Sequence, residues 1–368
     1  MPDKHVDIIG KTGGVGLVAN KFMSEGGLNL GRMRPFIDDE DGAPYMTIYK
    51  GGDPNKEDNW DTVPSYAGAT LRREEWMRLD EALIEAKRYR LGGVQDLIDK
   101  GLTYTLGNAM GTTVLEWHDV SDAMEADLTM DAVTRSIGDR PIFQHNYLPI
   151  PIIHVDYEIN ARVLEASRKL GNPLDTTSAE RAARKVLEKM ENMLFTDTTY
   201  SFGDKDSRNR NTIYSYLNFP DRNLVNLSVP WDASAATGPM ILQDVQEMKA
   251  ASIAAYHHGP WMIYIPTAYE TVMDDDYDVS GSSLMTIRER IMKIGGIQGI
   301  KVIDTLPANN VFMVQMTPDV VRLVRGMDLQ NIQWSTEGGM VNKYKVMTIQ
   351  VPQIRSDING KCGIVQLA

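Results

Sequence analysis

The segment Leu174-Asp175-Thr176-Thr177-Ser178-Ala179-Glu180-Arg181-Ala182-Ala183-Arg184-Lys185-Val186-Leu187-Glu188-Lys189-Met190-Glu191-Asn192-Met193-Leu194-Phe195 carries the strongest helical signal in the chain. Thr177-Ser178-Ala179-Glu180 has the form of a capping box, a hydroxyl residue followed three positions later by Glu. Ala183, Val186, Leu187, Met190 and Leu194 then recur at helical spacing and form one apolar stripe. A helix over 176–195 with such a stripe needs another element to cover it.

Upstream, the pattern predicts a strand over 150–155, a helix over 158–170 and a break at Gly171-Asn172-Pro173. Two strand-like runs, 113–118 and 142–148, flank a polar and acidic stretch over 121–140. They read as a long β-hairpin with little core of its own, and a lone two-stranded ribbon is marginal in water. Before it, a helix begins after Thr70, with Glu74 and Glu75 near its start and Lys87, Arg88 and Arg90 near its end, charges that complement the helix dipole. Trp76, Leu79, Leu83 and Ala86 form its apolar face, and Gly92-Gly93 reads as its stop. Residues 1–70 carry Gly13-Gly14, Gly26-Gly27, Gly51-Gly52, Pro35, Pro44, Pro54 and Pro64, punctuation too dense for long helices, and read as an extended arm.

Downstream, a polar loop over 203–212 leads into alternating elements. Helices are expected at 242–255, 284–294 and 319–325, with strands at 261–265, 301–306, 311–316, 332–336, 345–351 and 363–367. Such alternation argues a mixed α/β region.

Composition excludes several classes. The chain has 368 residues and a formal net charge of −12, from 38 Lys and Arg against 50 Asp and Glu, so it lacks the positive field that nucleic-acid readers use. Its single cysteine, Cys362, rules out an intramolecular disulfide and cysteine-based zinc sites. That usage fits a reducing compartment. The first residues lack the basic and apolar runs of a secretory signal, and no apolar run of about 18 residues is present to span a membrane. Methionine is abundant, 21 residues against 7 Phe, and its pliable side chain suits both core filling and adaptable interfaces.

The residues that invite chemical readings favour structural ones. Gly10-Lys11-Thr12 resembles the end of a phosphate loop, but that motif needs Gly where His5 stands. Asp274-Asp275-Asp276-Tyr277-Asp278 invites calcium, yet a helix-loop-helix site would need Gly and Glu where Val279 and Met285 stand, so a solvated loop is the better reading. Asp38-Asp39-Glu40-Asp41 reads the same way. The six histidines are His5, His118, His145, His154, His257 and His258, and none forms a His-Glu-x-x-His pair. His257-His258 suits a turn before Gly259-Pro260, while His145 and His154 lie in apolar strand context and read as structural. Cys362 reads as a buried thiol rather than a nucleophile. No Gly-x-Ser-x-Gly elbow occurs. The expectation is therefore no catalytic residue, no cofactor-binding residue, no metal site and no enzyme.

Taken in order, these elements resemble the phage major capsid proteins of the Hong Kong 97 fold, in the branch closest to encapsulin shell proteins. Trp76-Met77-Arg78-Leu79-Asp80-Glu81-Ala82 is similar to that family's Trp-x-x-(Leu/Ile)-Asp-Glu-x-Ala helix. The hairpin into Leu148-Pro149-Ile150-Pro151 looks like its extended loop. Residues 174–195 are similar to its spine helix, although the Gly usual soon after the Phe is delayed to Gly203. Gly259-Pro260-Trp261-Met262-Ile263-Tyr264-Ile265 resembles the strand that opens the axial sheet, and Gly326-Met327-Asp328-Leu329 the short turn before the closing strands. The matches span about residues 71–368.

The resemblance implies an α+β fold: an N-terminal arm over 1–70 and an extended loop over 102–148. A peripheral domain would comprise 71–101, 149–205 and 328–352, with its spine helix at 176–195. The axial domain would comprise 206–327 and 353–368. It implies a major capsid protein that self-assembles through pentamers and hexamers into an icosahedral phage shell around double-stranded DNA. Its partners would be other copies of itself, with scaffolding, portal and cement or decoration proteins beside them, and packaged DNA bound without sequence preference. No membrane is involved, and assembly would take place in the bacterial host cytoplasm. Some relatives weld subunits through an extended-loop Lys, but no Lys lies between Lys100 and Lys169, so a non-covalent shell is expected. An encapsulin-like shell around a cargo enzyme is the alternative, with the long arm as the departure from it. A soluble α/β enzyme using scattered carboxylates such as Asp274 and Asp276 is the third reading.

Overall fold

A computed structural model describes residues 36–38, 43–49, 60–64, 71, 75–76, 78–79, 92–107, 109–120, 130, 143–169, 176–197, 200–202, 211–277, 285–336 and 340–368. In chain order its strands and helices open with β1 (Phe36–Ile37), β2 (Pro44–Tyr49), β3 (Trp60–Pro64), α1 (Gly92–Asp99) and β4 (Thr103–Thr105). The ribbon strands β5 (Val114–Val120) and β6 (Phe143–Pro149) follow, then β7 (Ile153–Asn160), α2 (Ala161–Lys169) and α3 (Thr177–Phe195). Short strands β8 (Tyr200–Phe202), β9 (Asn211–Ile213) and β10 (Asn223–Val225) lead to α4 (Gly238–Ala254) and β11 (Trp261–Pro266). The chain closes with α5 (Glu270–Met273), α6 (Ile287–Met292), β12 (Ile297–Ile303), β13 (Val311–Gln315), β14 (Val321–Thr336), β15 (Val341–Ile354) and β16 (Ile364–Leu367).

Helix α3 forms where the sequence places it, and its apolar stripe joins two sheets. Ala182, Ala183 and Val186 pack with Val346 of β15 and with Val155 and Tyr157 of β7. One turn later Leu187, Met190, Leu194 and Phe195 enter a second cluster with Val94 and Leu97 of α1 and with Tyr264, Phe312 and Ile364. The helix therefore lies on the four-stranded sheet β4-β14-β15-β7 at one end and against the five-stranded sheet β10-β16-β13-β11-β12 at the other. The cap differs from the expected box. Thr176 is the N-cap, and its hydroxyl donates to the Glu180 carboxylate at 2.8 Å instead of accepting a backbone N–H.

In the five-stranded sheet every residue of β11 and β13 is buried. Met262 and Tyr264 face the α3 cluster, while Trp261, Ile263 and Ile265 face a second core built with α4 and α6. A sheet covered on both faces reads as an unbroken apolar run, which is why this region was legible.

Several expectations are corrected. Of the helix expected at 319–325, residues 319 and 320 are turn and Val321 onward is strand. Val320, Val321 and Val324 are β-branched, and β14 pairs along its length with β15, so pairing overrides a local helical pattern. Gly326-Met327-Asp328 is a register irregularity inside β14 rather than a turn. A Cβ at Gly326 would lie 2.4 Å from that of Ala109, so glycine admits the neighbouring segment there. Gly92-Gly93, expected as a stop, forms the first turn of α1. Residues 36–64 contain the antiparallel sheet β1-β2-β3, so that part of the arm is not simply extended. The strand expected at 150–155 runs Ile153–Asn160, and the helix after it begins at Ala161. The elements expected at 284–294 and 301–306 are α6 and β12, shorter at both ends and four residues earlier respectively. Of the helix after Thr70, Glu75, Trp76, Arg78 and Leu79 are helical, and Trp76 and Leu79 are buried. Leu83, Ala86 and residues 1–35 lie outside the described residues, as does the hairpin tip except Met130.

Candidate functional site

The ribbon β5–β6 has two unlike faces because strand residues alternate. Leu115, Trp117 and Leu148 turn inward, onto the cluster that holds Val324, Met327 and Ile349. Below it lies a cleft of about 420 Å³ lined by Trp117, Asp119, Asn146, Asp221, Arg355 and Asp357. Arg355 Nη2 meets Asp119 Oδ1 at 3.4 Å, and Ser356 Oγ donates to Asp221 at 2.6 Å. Two further donors there, Trp117 Nε1 and Arg355 Nε, are buried and have no acceptor among the described residues.

The opposite face points to solvent. Val120 and Phe143 are cross-strand partners, 52% and 58% exposed, and Met130 is fully exposed, so apolar surface is offered that no described residue covers. Glu116, His118 and His145 share this face and are exposed.

A different group of polar residues is buried where α1 meets α3. Glu191 Oε1 accepts the Gly93 N–H at 2.9 Å, and Oε2 accepts the Val94 N–H at 3.5 Å. Burial pushes the Glu191 carboxyl up to about 7; the two backbone hydrogen bonds and Lys301 oppose the rise, and Asp96 adds to it. Asp96, also buried, pairs with Lys301 and accepts the Tyr264 hydroxyl at 3.1 Å. Burial likewise raises Tyr216 and Tyr264 well above the ordinary tyrosine range. Glu191, Asp96, Tyr264 and Lys301 are paired here, the Tyr216 hydroxyl has no hydrogen-bond partner among the described residues, and the group opens onto no cleft named above.

The residues singled out from sequence are dispersed. Cys362 is buried, and burial pushes its thiol up to about 12, which suits the inert reading. Asp274 is exposed and meets Arg288 at 3.1 Å; Asp276 forms an isolated bridge with Thr286; Asp278 lies outside the described residues. Gly10-Lys11-Thr12, His5 and Asp39-Glu40-Asp41 also lie outside them. His257 sits in the turn that ends α4, its N–H donating to Ser252 O. His145 and His154 do not sit in a core: both are exposed, His154 because Ile153 and Val155 take the inward positions, His145 because Gln144 and Asn146 take them, leaving its ring to meet Glu116 at 2.8 Å. Sequence reading missed Glu191 and the His118–His145 pair. A Glu on the apolar stripe of the spine helix was the available signal for the first; the second depends on strand register, which the polar tip hides.

The family described as "Family of unknown function (DUF6260)" matches residues 66–367, most of the chain. The chain belongs to the DUF6260 family. Among solved structures, this DUF6260 chain is similar to the virus-like particle from Pyrococcus furiosus, at TM-score 0.56 and 17% identity over 80% of this chain and 100% of that one. It is equally similar to the capsid of Myoviridae phage XM1, at TM-score 0.56 and 11% identity over 75% of this chain and 91% of that one. A Mycobacterium phage Bobi structure matches at TM-score 0.51 and 12% identity, over 74% and 89%. At such identities the likeness establishes the fold: this DUF6260 member has the α+β Hong Kong 97 capsid fold.

Proposed function

We propose that this DUF6260 protein is a major capsid protein, a non-enzymatic subunit that self-assembles through pentamers and hexamers into an icosahedral phage shell around double-stranded DNA. One observation carries the reading within that fold: the ribbon presents Val120, Phe143 and Met130 to solvent, apolar surface suited to burial against another molecule. Head-to-tail contacts of one ribbon on the next subunit are heterologous, and such contacts close into rings when their rotation allows.

The domain division given above is part of the proposal, with β14 and β15 running across both of its boundaries as single strands. The shell is held non-covalently, since no ribbon Lys exists. Scaffolding, portal and cement proteins would complete a virion assembled in the host cytoplasm; no helix among the described residues is long and apolar enough to cross a membrane.

Expression alone followed by size-exclusion chromatography and electron microscopy tests this. Closed megadalton shells are the expected result, and a monomer or small oligomer at all concentrations overturns it. The full coverage of the Pyrococcus furiosus particle subunit favours a second reading, a nanocompartment around a protein cargo. Particles isolated from the native source decide between them by their contents, DNA or protein.

A further inference from the structure

Strand register places three metal-seeking side chains together on the outward face of the ribbon. His118 lies directly opposite His145 across the strand pair. Glu116 precedes His118 by two residues and so leaves the same face of β5. The two imidazoles meet edge to face with ring centroids 4.4 Å apart. His145 Nδ1 stands 2.8 Å from Glu116 Oε1. One possible ligand atom from each of the three residues lies within 4.8 Å of the others.

We propose that Glu116, His118 and His145 bind one divalent transition-metal ion of the zinc class, clamping β5 to β6 at the middle of the ribbon. Two imidazoles and one carboxylate form a donor set that zinc accepts when three protein ligands leave one position open to water. Bonds of about 2.1 Å to a tetrahedral ion place ligand atoms about 3.4 Å apart. Exposed side chains reach that spacing from 4.8 Å by small torsional changes, without backbone movement. Imidazole also selects against magnesium and calcium, which prefer all-oxygen sites.

The competing account is a hydrogen-bonded His145–Glu116 pair and nothing more. That pair needs no second imidazole, and His118 is the residue it leaves unused. A metal uses all three, and it ties together residues from both strands of a ribbon that is marginal alone. Any ligand held only by the paired strands stabilises the pairing by mass action. The proposal stands apart from the shell reading, because it concerns one subunit's own side chains.

The test uses the full-length protein, affinity tag removed and stripped with a chelator, titrated with Zn²⁺ by calorimetry, with Mg²⁺ as a parallel arm. Expected is one equivalent per chain, with a dissociation constant of about 100 µM or tighter. The His118→Ala/His145→Ala double variant and Glu116→Gln should each weaken binding at least about fivefold, while exposed His258→Ala leaves it unchanged. Weakening below that factor in the double variant overturns the proposal, including the case in which neither protein binds and His145–Glu116 is a hydrogen bond only. Mg²⁺ binding as tight as Zn²⁺ also overturns it. Should the double variant fail to fold, His118→Asn alone gives the same reading.

Discussion

The Glu191 carboxylate accepts the Gly93 backbone N–H at 2.9 Å, so a side chain of the spine helix caps the first turn of α1. This bond satisfies a helix-terminal donor that would otherwise be buried unpaired. It also holds an acid in the core, and the consequence is a dependence of stability on pH. Burial raises Glu191 from 4.5 to about 7 in the folded chain, so the folded state holds this proton more tightly than the unfolded state. Its stabilising contribution is fully present below about 4.5 and is lost as pH rises through about 7, a change of about 3 kcal/mol. Urea unfolding of wild type and Glu191→Gln across that range isolates the effect. The variant, neutral throughout and still an acceptor, should gain on the wild type as pH rises; a difference constant with pH would contradict the assignment.

Gly93 carries a second expectation. A Cβ there would lie 2.2 Å from Phe195 Cε2 and 2.5 Å from Cζ, so Gly93→Ala must push the ring or separate the helices. Alanine improves intrinsic helix propensity by about 1 kcal/mol, while overpacking a filled core costs about 1–3 kcal/mol. Because Phe195 is itself buried between Tyr216 and Tyr264, with little room to retreat, the second effect should win. Denaturant unfolding should show a net loss of stability for Gly93→Ala, and a gain would show that the contact is slack.

How much of this was legible depended on whether local pattern or tertiary pairing decides the element. The spine helix and the strands around Trp261 and Val311 were readable, since their periodicity and apolar runs match their final surroundings. The short apolar run at 319–325 fits either element, and only the pairing of Leu323 with Pro352 and Thr103 makes it strand. Glycine punctuates chains, so Gly92-Gly93 reads as a stop; in the fold it is Phe195, about a hundred positions away, that leaves no room for a Cβ at Gly93. The outward face of the ribbon was hidden for another reason. Its composition is ordinary, and His118 meets His145 only through a register that no turn motif announces.

Cys362 should be silent in the folded protein. Its thiol is buried, and with a pKa pushed up to about 12 it holds almost no thiolate near neutral pH. A disulfide-exchange reagent should label native protein orders of magnitude more slowly than denatured protein, at one thiol per chain. Rapid labelling of the native state would show that the segment before β16 opens readily.

The last prediction concerns the ribbon's apolar face. Val120 and Phe143 oppose each other across β5–β6 and touch water, so removing their hydrophobicity should leave the subunit's own core intact. If the face is buried on a neighbouring copy, each side chain contributes about 1.5–3 kcal/mol to a contact repeated at every subunit of the shell. Val120→Asp with Phe143→Asp introduces two like charges in place of that surface, which a contact of this kind cannot absorb. Circular dichroism should match the wild type, while chromatography shows subunits or small rings in place of closed particles. Normal particles from the double variant would mean that this face remains open to solvent in the assembly.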